Sequence, residues 1–238
     1  MVKVKEYTNK GGREENEDSL SVFFEDNRLC AIVADGLGGH GDGRLASSMA
    51  VEFVGEKFSE QGEAFVRNLD KNMEKLNSMI CCKQTDNTKM RTTIAVLVIE
   101  NESVTSAHIG DSRIYRFMDN KITDMTFDHS VSQMAVLTGE ISQAEVRHHI
   151  DRDKLLRSLG KAEGVKTELN SWENNDKDKC RFLLCTDGFW EHIEENEMET
   201  CLKNSKSTEE WMDKMLKIVE ERVNETSDNY TAITVWCE

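Results

Sequence analysis

The spacing of apolar residues along the chain alternates between two periods. Ser19–Asp26, Leu29–Ala34, Thr92–Glu100, Ser103–Ile109, Arg113–Met118, Cys180–Cys185 and Tyr230–Trp236 are short runs rich in Val, Ile, Phe and Thr, bounded by polar residues, and predict strands. Glu25-Asp26-Asn27 and Asp119-Asn120 read as hairpin turns. Elsewhere the period is helical. Leu45, Met49 and Phe53, flanked by Ala46, Ala50 and Val54, form one stripe, and Phe65, Leu69, Met73, Leu76 and Ile80 form a second. A third helix is predicted over Glu209–Val223, with Trp211, Met215 and Ile218 on its apolar face. Strands come in hairpin-like groups and helices in pairs. That order predicts an α+β fold with antiparallel sheets covered by helices.

Composition narrows the function classes. The chain has 238 residues, 38% hydrophobic and 32% charged, with a formal net charge of −15. Such acidity disfavours nonspecific binding to nucleic acid or an anionic membrane. No run of about 18 apolar residues is present to span a bilayer, and MVKVKEYTNKGGREEN lacks the apolar core of a signal peptide. The expected location is the cytoplasm. The seven cysteines include no C-x-x-C pair and several lie in apolar runs, so they are read as buried reduced thiols. No internal repeat, linker or low-complexity segment interrupts the chain.

The stretch LCAIVADGLGGHGDG drives an apolar strand into Asp35 and then five glycines within eight positions. Gly36-x-Gly38-x-x-Gly41 matches a dinucleotide fingerprint, but that motif needs an acidic residue about 20 positions on, at the end of a second strand. The corresponding stretch, VEFVGEKFSEQ, has a helical pattern, and no G-K-[ST] follows to make a Walker loop. Asp35 is more informative. A carboxylate at the end of a buried strand is costly unless paired or bound to a metal, and the pattern recurs. Asp187-Gly188 follows an apolar run, Asp111 sits at a turn between strands, and Asp228-Asn229 and Glu17-Asp18 each precede a strand. Gathered at one edge, these acids would repel one another, and hard divalent cations would relieve the repulsion. Two cations about 3.5–4 Å apart can generate hydroxide and polarise a phosphoryl group. The glycines at 36, 38, 39 and 41 are expected to supply φ > 0 and close backbone approach.

Taken in order, Arg13–Asp18, Asp35–His40, Thr92-Thr93, Gly110–Arg113, Asp187-Gly188 and Asp228-Asn229 resemble the metal-dependent protein phosphatases, the type 2C Ser/Thr phosphatases, in their compact bacterial branch. The likeness spans almost the whole chain as a single domain, 1–238, with a flap-like segment around Asp128–Leu159. It implies a four-layer α-β-β-α sandwich of two central, mainly antiparallel sheets with a metal site at one edge. It further implies that Asp35 bridges two Mn²⁺ or Mg²⁺ ions. Asp187 and Asp228 complete the first site, Glu17 and the Gly36 carbonyl help form the second, and Asp111 shares a third, weaker ion with Asp187. Arg13 would hold the substrate phosphate, and Asp18 and Asn229 would support the ligands. The implied reaction is in-line attack of a metal-bridging water on phosphoserine or phosphothreonine, with Arg13, Asp35 and Asp187 as the catalytic set.

Departures from the family are specific. Many eukaryotic members have a histidine two residues after the bridging aspartate, where this chain has Leu37. His40 is nearby, either as a participant or as a loop cap. Glu191 stands where some relatives have an acid near the third metal, or is a plain acidic helix start. His148 and His149 with Arg147 either meet an acidic substrate or a phosphate, or are solvated surface. A cysteine-based phosphatase is excluded, because no cysteine is followed by arginine in C-x₅-R spacing. The alternative is a non-catalytic pseudophosphatase of the same fold, and retention of Asp35, Asp187, Asp228 and Glu17 favours the enzyme. Expected partners are phosphorylated proteins and a cognate Ser/Thr kinase that the phosphatase opposes. Neither nucleic acid nor membrane is expected as a partner, and a monomer is the default.

Overall fold

The structure is a computed structural model that describes residues 2–38, 42–85, 88–101, 103–173 and 180–237. In chain order the strands are β1 (Val2–Asn9), β2 (Ser19–Glu25), β3 (Arg28–Ala34) and β4 (Gly36–Leu37). The helices α1 (Asp42–Gln61) and α2 (Phe65–Lys83) follow. Then come β5 (Arg91–Thr92), β6 (Ile94–Glu100), β7 (Ser103–Ile109), β8 (Arg113–Met118), β9 (Lys121–Met125) and α3 (Val131–Leu137). The chain ends through β10 (Glu168–Glu173), β11 (Cys180–Cys185), α4 (Asp187–Trp190), α5 (Glu195–Lys203), α6 (Thr208–Arg222) and β12 (Tyr230–Cys237). One antiparallel sheet has the order β1-β12-β11-β8-β9 and the other β10-β7-β6-β3-β2, while β4 and β5 form a separate small pair.

Alternation along the strands assigns each residue to one of three cores. Leu29, Ala31 and Val33 of β3 meet Phe182 and Leu184 of β11 and Ile233 and Val235 of β12 between the sheets. The intervening Cys30, Ile32 and Ala34 face Phe53, Phe58, Leu69 and Met73 of α1 and α2. On the far side, Leu183 and Cys185 face Met198, Trp211 and Met215 of α5 and α6. The central strands are therefore buried on both faces, which is why they read as continuous apolar runs rather than alternating ones. The expected four-layer sandwich is present, with the predicted helix stripes as its outer cores.

The differences have local causes. Thr92–Glu100 is not one strand: Thr93 breaks it, leaving β5 to pair with β4. Edge strands β1, β9 and β10 were not predicted, because they carry the charged and polar residues that protect a sheet edge. Helix α5 is short and polar and is held by a capping box in which Glu194 and Glu197 satisfy each other's backbone N–H. Five cysteines are buried as expected, but Cys82 is exposed and Cys81 half-buried at the end of α2; all seven are free.

Between α3 and β10 the chain makes a 3₁₀ turn over Gln143–His148 and then returns to the rim through bridges of Leu155 to Ser130 and Leu159 to Thr92. Gly160 closes this return. Its φ is +89°, and a Cβ there would lie 2.2 Å from the Met90 carbonyl oxygen. Its N–H donates to Asn77 Oδ1 at 2.7 Å, and its carbonyl accepts from Gln84 Nε2 at 2.7 Å. Gly160→Ala is therefore expected to destabilise the protein by about 2–4 kcal/mol, combining left-handed strain with a backbone clash. Gly164→Ala, at φ +87° with open space around it, should lose only about 1–2 kcal/mol. Urea unfolding of the two variants checks the contrast.

Candidate active site

Strand register fixes where the acidic turns lie. Ser19 pairs with Ala34, so Asp18 before β2 and Asp35 after β3 leave their sheet at the same end. Ile94 pairs with Ile109, which brings Thr93 and Gly110-Asp111 to that end as well. In the other sheet Cys185 pairs with both Arg113 and Ala232, and Asn9 pairs with Tyr230. Arg13, Asp187 and Asp228-Asn229 therefore emerge beside the start of β8. Because Gly110-Asp111-Ser112 carries the chain from β7 to β8, it joins the two sheet ends into one rim.

The backbone of this rim is tightly held. Asp35 N–H donates to Thr93 Oγ1 at 3.0 Å, and the Asp35 carbonyl accepts from Thr93 N–H at 2.9 Å and Thr92 Oγ1 at 2.8 Å. Thr93 Oγ1 also bonds Ser112 Oγ at 2.7 Å across the sheets. Trp190 Nε1 donates to the Asp111 carbonyl at 3.0 Å. Asn229 ties the Arg13 loop down: its Oδ1 accepts from Glu17 N–H at 2.8 Å, and its Nδ2 donates to the Lys10 and Glu15 carbonyls. Asp18 Oδ2 accepts from Thr186 Oγ1 at 2.9 Å.

Two adjoining cavities open on the rim. One, of about 440 Å³, is lined by Arg13, Glu17, Asp35, Gly36, Asp228 and Asn229. The other, of about 320 Å³, shares Arg13, Asp35, Leu37 and Asp228 and adds Asp111, Asp187, Glu191 and Arg152. Asp18 is buried behind them. Arg13 Nε and Nη2 bind the two oxygens of Asp228 at 3.0 and 2.7 Å.

The acids strain one another electrostatically. Burial first, and then the charges of Asp187, Asp18, Asp111 and Asp228, push the Asp35 carboxyl well above its ordinary range. Burial and the Asp111, Glu191, Asp228 and Asp18 charges do the same to Asp187. Asp18 is pushed up to about 7 and Asp111 to about 8, in both cases chiefly by burial. Asp18 Oδ1 and Asp111 Oδ1 are buried and have no hydrogen-bond partner. Unpaired buried carboxylate oxygens beside mutually repelling acids are a donor set suited to hard divalent cations.

The placement of individual residues corrects several expectations. Gly36 does not adopt positive φ, and neither does Gly38. Gly36 is required by close approach, since its Cβ would lie 2.2 Å from the Gly43 carbonyl oxygen and 2.5 Å from that of Glu17. Gly39, His40 and Gly41 lie outside the described residues. Glu191 is neither a bare helix start nor solvent-facing: it lines the cavity and binds Arg152 through both carboxylate oxygens. Arg147 is buried, not solvated and not facing phosphate, with Nη2 donating to both Glu195 oxygens at 2.9 Å. His148 is exposed and His149 half-buried. Arg152 also lines the cavity, and the sequence gives it no local signal, since it stands between two aspartates in a polar segment.

The raised carboxyls make stability depend on pH with a definite sign. Above the ordinary aspartate value of 3.8, and up to about 7 for Asp18 and about 8 for Asp111, the folded protein holds protons that the unfolded chain has released. Stability of chelator-treated protein therefore falls as pH rises through that window. The melting temperature should drop by about 5 °C or more between pH 5 and pH 8. Mn²⁺ added at pH 8 should restore it, and Asp111→Asn should flatten the slope. Differential scanning fluorimetry with and without chelator measures all three.

Comparison with known proteins supplies the family. Residues 10–228 match the sequence profile described as Protein phosphatase 2C. The serine/threonine phosphatase stp of Listeria welshimeri is 35% identical over 210 residues, covering 84% of this chain and 82% of that one. The S. agalactiae serine/threonine phosphatase superposes with a TM-score of 0.89 over 100% of both chains, at 26% identity. The catalytic domain of the phosphatase PstP in complex with two manganese ions superposes with a TM-score of 0.82 at 25% identity, over 98% of this chain and 97% of that one. The profile runs through every acidic turn of the rim from Glu17 to Asp228, and on that match the chain belongs to the protein phosphatase 2C family.

Proposed function

We propose that this protein is a metal-dependent Ser/Thr phosphoprotein phosphatase that acts where Asp35, Asp187, Asp228 and Glu17 converge with Arg13. The observation that carries this reading is the joining of two sheet ends by Gly110-Asp111-Ser112, with the acidic turns lining continuous cavities. Asp35, Asp187 and Asp228 would hold one cation. Asp35, Glu17 and the Gly36 carbonyl would hold another, and Asp111 with Asp187 a third. The all-oxygen donor set favours Mn²⁺ or Mg²⁺. Such ions supply a Lewis acid for phosphoryl oxygens and a water of lowered pKa.

The chain's own residues do the rest. Arg13 stands at the cavity mouth with its side chain 57% exposed, where its guanidinium fork can bind phosphate oxygens in place of Asp228. Asp18 and Asn229 hold the loops that carry Asp187 and Glu17. Leu37 lines both cavities and has no proton to give, so it shapes the site rather than acting as an acid. A pseudophosphatase reading would need the rim to have lost acids, and it has not. We further infer that the enzyme opposes a Ser/Thr kinase. Among the described residues no helix is long and apolar enough to cross a membrane.

Hydrolysis of p-nitrophenyl phosphate and of a phosphothreonine peptide should require Mn²⁺ or Mg²⁺ and stop with chelator. Asp187→Asn should lower kcat/KM about a hundredfold or more. Arg13→Ala should raise KM for the peptide about tenfold or more, through lost charge-assisted bonds to phosphate. Activity that persists in chelator, or in Asp187→Asn, would overturn the proposal.

A further inference from the structure

We infer that Arg152 is a specificity-determining residue whose guanidinium binds a second anionic group of the substrate, beside the phosphorylated Ser or Thr. The inference rests on the phosphatase reading above. The second group is a carboxylate or another phosphate, since a guanidinium fork fits both.

Arg152 and Arg13 line the same 320 Å³ cavity and are held in the same way. Arg13 presents Nε and Nη2 to Asp228, and Arg152 presents Nε and Nη2 to Glu191. Each leaves Nη1 without a hydrogen bond among the described residues. Arg152 Nε also lies 3.4 Å from Asp153 Oδ1. The two cations enter from different parts of the chain. Arg13 comes from the turn after β1, whereas Arg152 comes from the segment between the 3₁₀ turn and β10.

The other arginines and lysines from the 3₁₀ turn to β10 lie away from this cavity, Lys166 lining a separate one. Arg147 is buried against Glu195, and Lys154 pairs with Asp151 at 2.7 Å. Arg157 lies against His129 and lines a separate cavity, and Lys161 Nζ donates to the Leu155 and Leu156 carbonyls. Arg152 is thus the one cation of the segment that lines the acidic cavity. Its side chain is 35% exposed, and Ile150 beside it is 89% exposed. A peptide whose phosphate reaches Arg13 would pass this wall. In a chain of net charge −15, an acidic flank is repelled unless a local cation receives it. Exchange of Glu191 for a substrate anion keeps the fork bidentate.

The test compares one phosphothreonine peptide with neutral flanks against versions carrying a single Glu, or a second phosphothreonine, at each neighbouring position in turn. In the wild type, at the best position, the added anion should raise kcat/KM about five- to tenfold, mainly through KM, and the gain should shrink in high salt. Arg152→Ala should abolish the gain, Arg152→Gln should abolish it while keeping the stem, and Arg152→Lys should retain part of it. Gain from the second phosphate alone identifies phosphate as the anion, and gain from both identifies carboxylate as sufficient. An equal gain in wild type and Arg152→Ala, or no gain in wild type, overturns the inference. Failure of the wild type to hydrolyse even the neutral peptide overturns the phosphatase reading instead.

Discussion

Repulsion among acids at one end of a β-sandwich is the constraint on which the rest of this structure depends. Burial first, and then the charges of neighbouring carboxylates, raise the proton affinity of Asp18, Asp35, Asp111 and Asp187. A flexible chain would let such side chains turn apart. Here they cannot, because each is attached to the end of a strand whose register is set by apolar cores on both of its faces. The packing energy of three cores is set against electrostatic strain confined to one rim. Glycine serves the same end at Gly36 and Gly188, where any side chain would push apart the turns that carry Glu17 and Asn229.

The turn through Asp111 shows how much scaffolding one carboxylate needs. Arg113 makes a bidentate pair with Asp128 at 2.8 and 2.7 Å and stacks on Trp190 with its guanidinium 3.5 Å from the ring centroid. Trp190 in turn donates to the Asp111 carbonyl. From the other side, Gly110 N–H donates to His129 Nδ1 at 3.1 Å, and His129 N–H donates to the Gly110 carbonyl at 2.9 Å. His108, His129 and Glu168 lie close enough together to suggest a metal site of their own. The hydrogen bonds argue otherwise. With Nδ1 accepting from Gly110, a neutral His129 carries its proton on Nε2 and donates it to Glu168, leaving no lone pair there for a cation. Arg157 beside the same nitrogen adds positive charge. The cluster is a brace for the turn.

What could be read from the sequence follows from where information about an element resides. Strands β3, β7, β8 and β11 are buried on both faces, so their own composition announces them. Strands β1, β9 and β10 are edges, and their polarity is a requirement of the sheet rather than a feature of the segment. The acidic turns were legible only as a set. Each Asp at a strand end is an ordinary turn, and only their recurrence at five strand ends points to a shared site. Arg147 and Arg152 show the limit. They lie five residues apart in one polar segment, yet one is buried against Glu195 and the other opens into the cavity. Nothing in the intervening sequence distinguishes them, because the distinction is made by Glu191, which caps α4, and Glu195, which opens α5.

Charge balance then ties substrate to cation. A phosphoprotein is an anion approaching an acidic protein at its most acidic rim, where the described cavity walls offer two guanidiniums against several carboxylates. Both guanidiniums are already paired with carboxylates of that rim, Arg13 with Asp228 and Arg152 with Glu191. Cations taken up by the proposed ligands would compete with Arg13 for Asp228 while neutralising the neighbouring acids. Freed of its partner, Arg13 could turn its fork to phosphate. Substrate affinity and cation affinity are then coupled through a shared carboxylate, and the coupling must be reciprocal: whatever draws Arg13 from Asp228 toward phosphate leaves Asp228 a better ligand for a cation. In this arrangement the acidity of the rim would make phosphate binding conditional on the cations held by the proposed ligands.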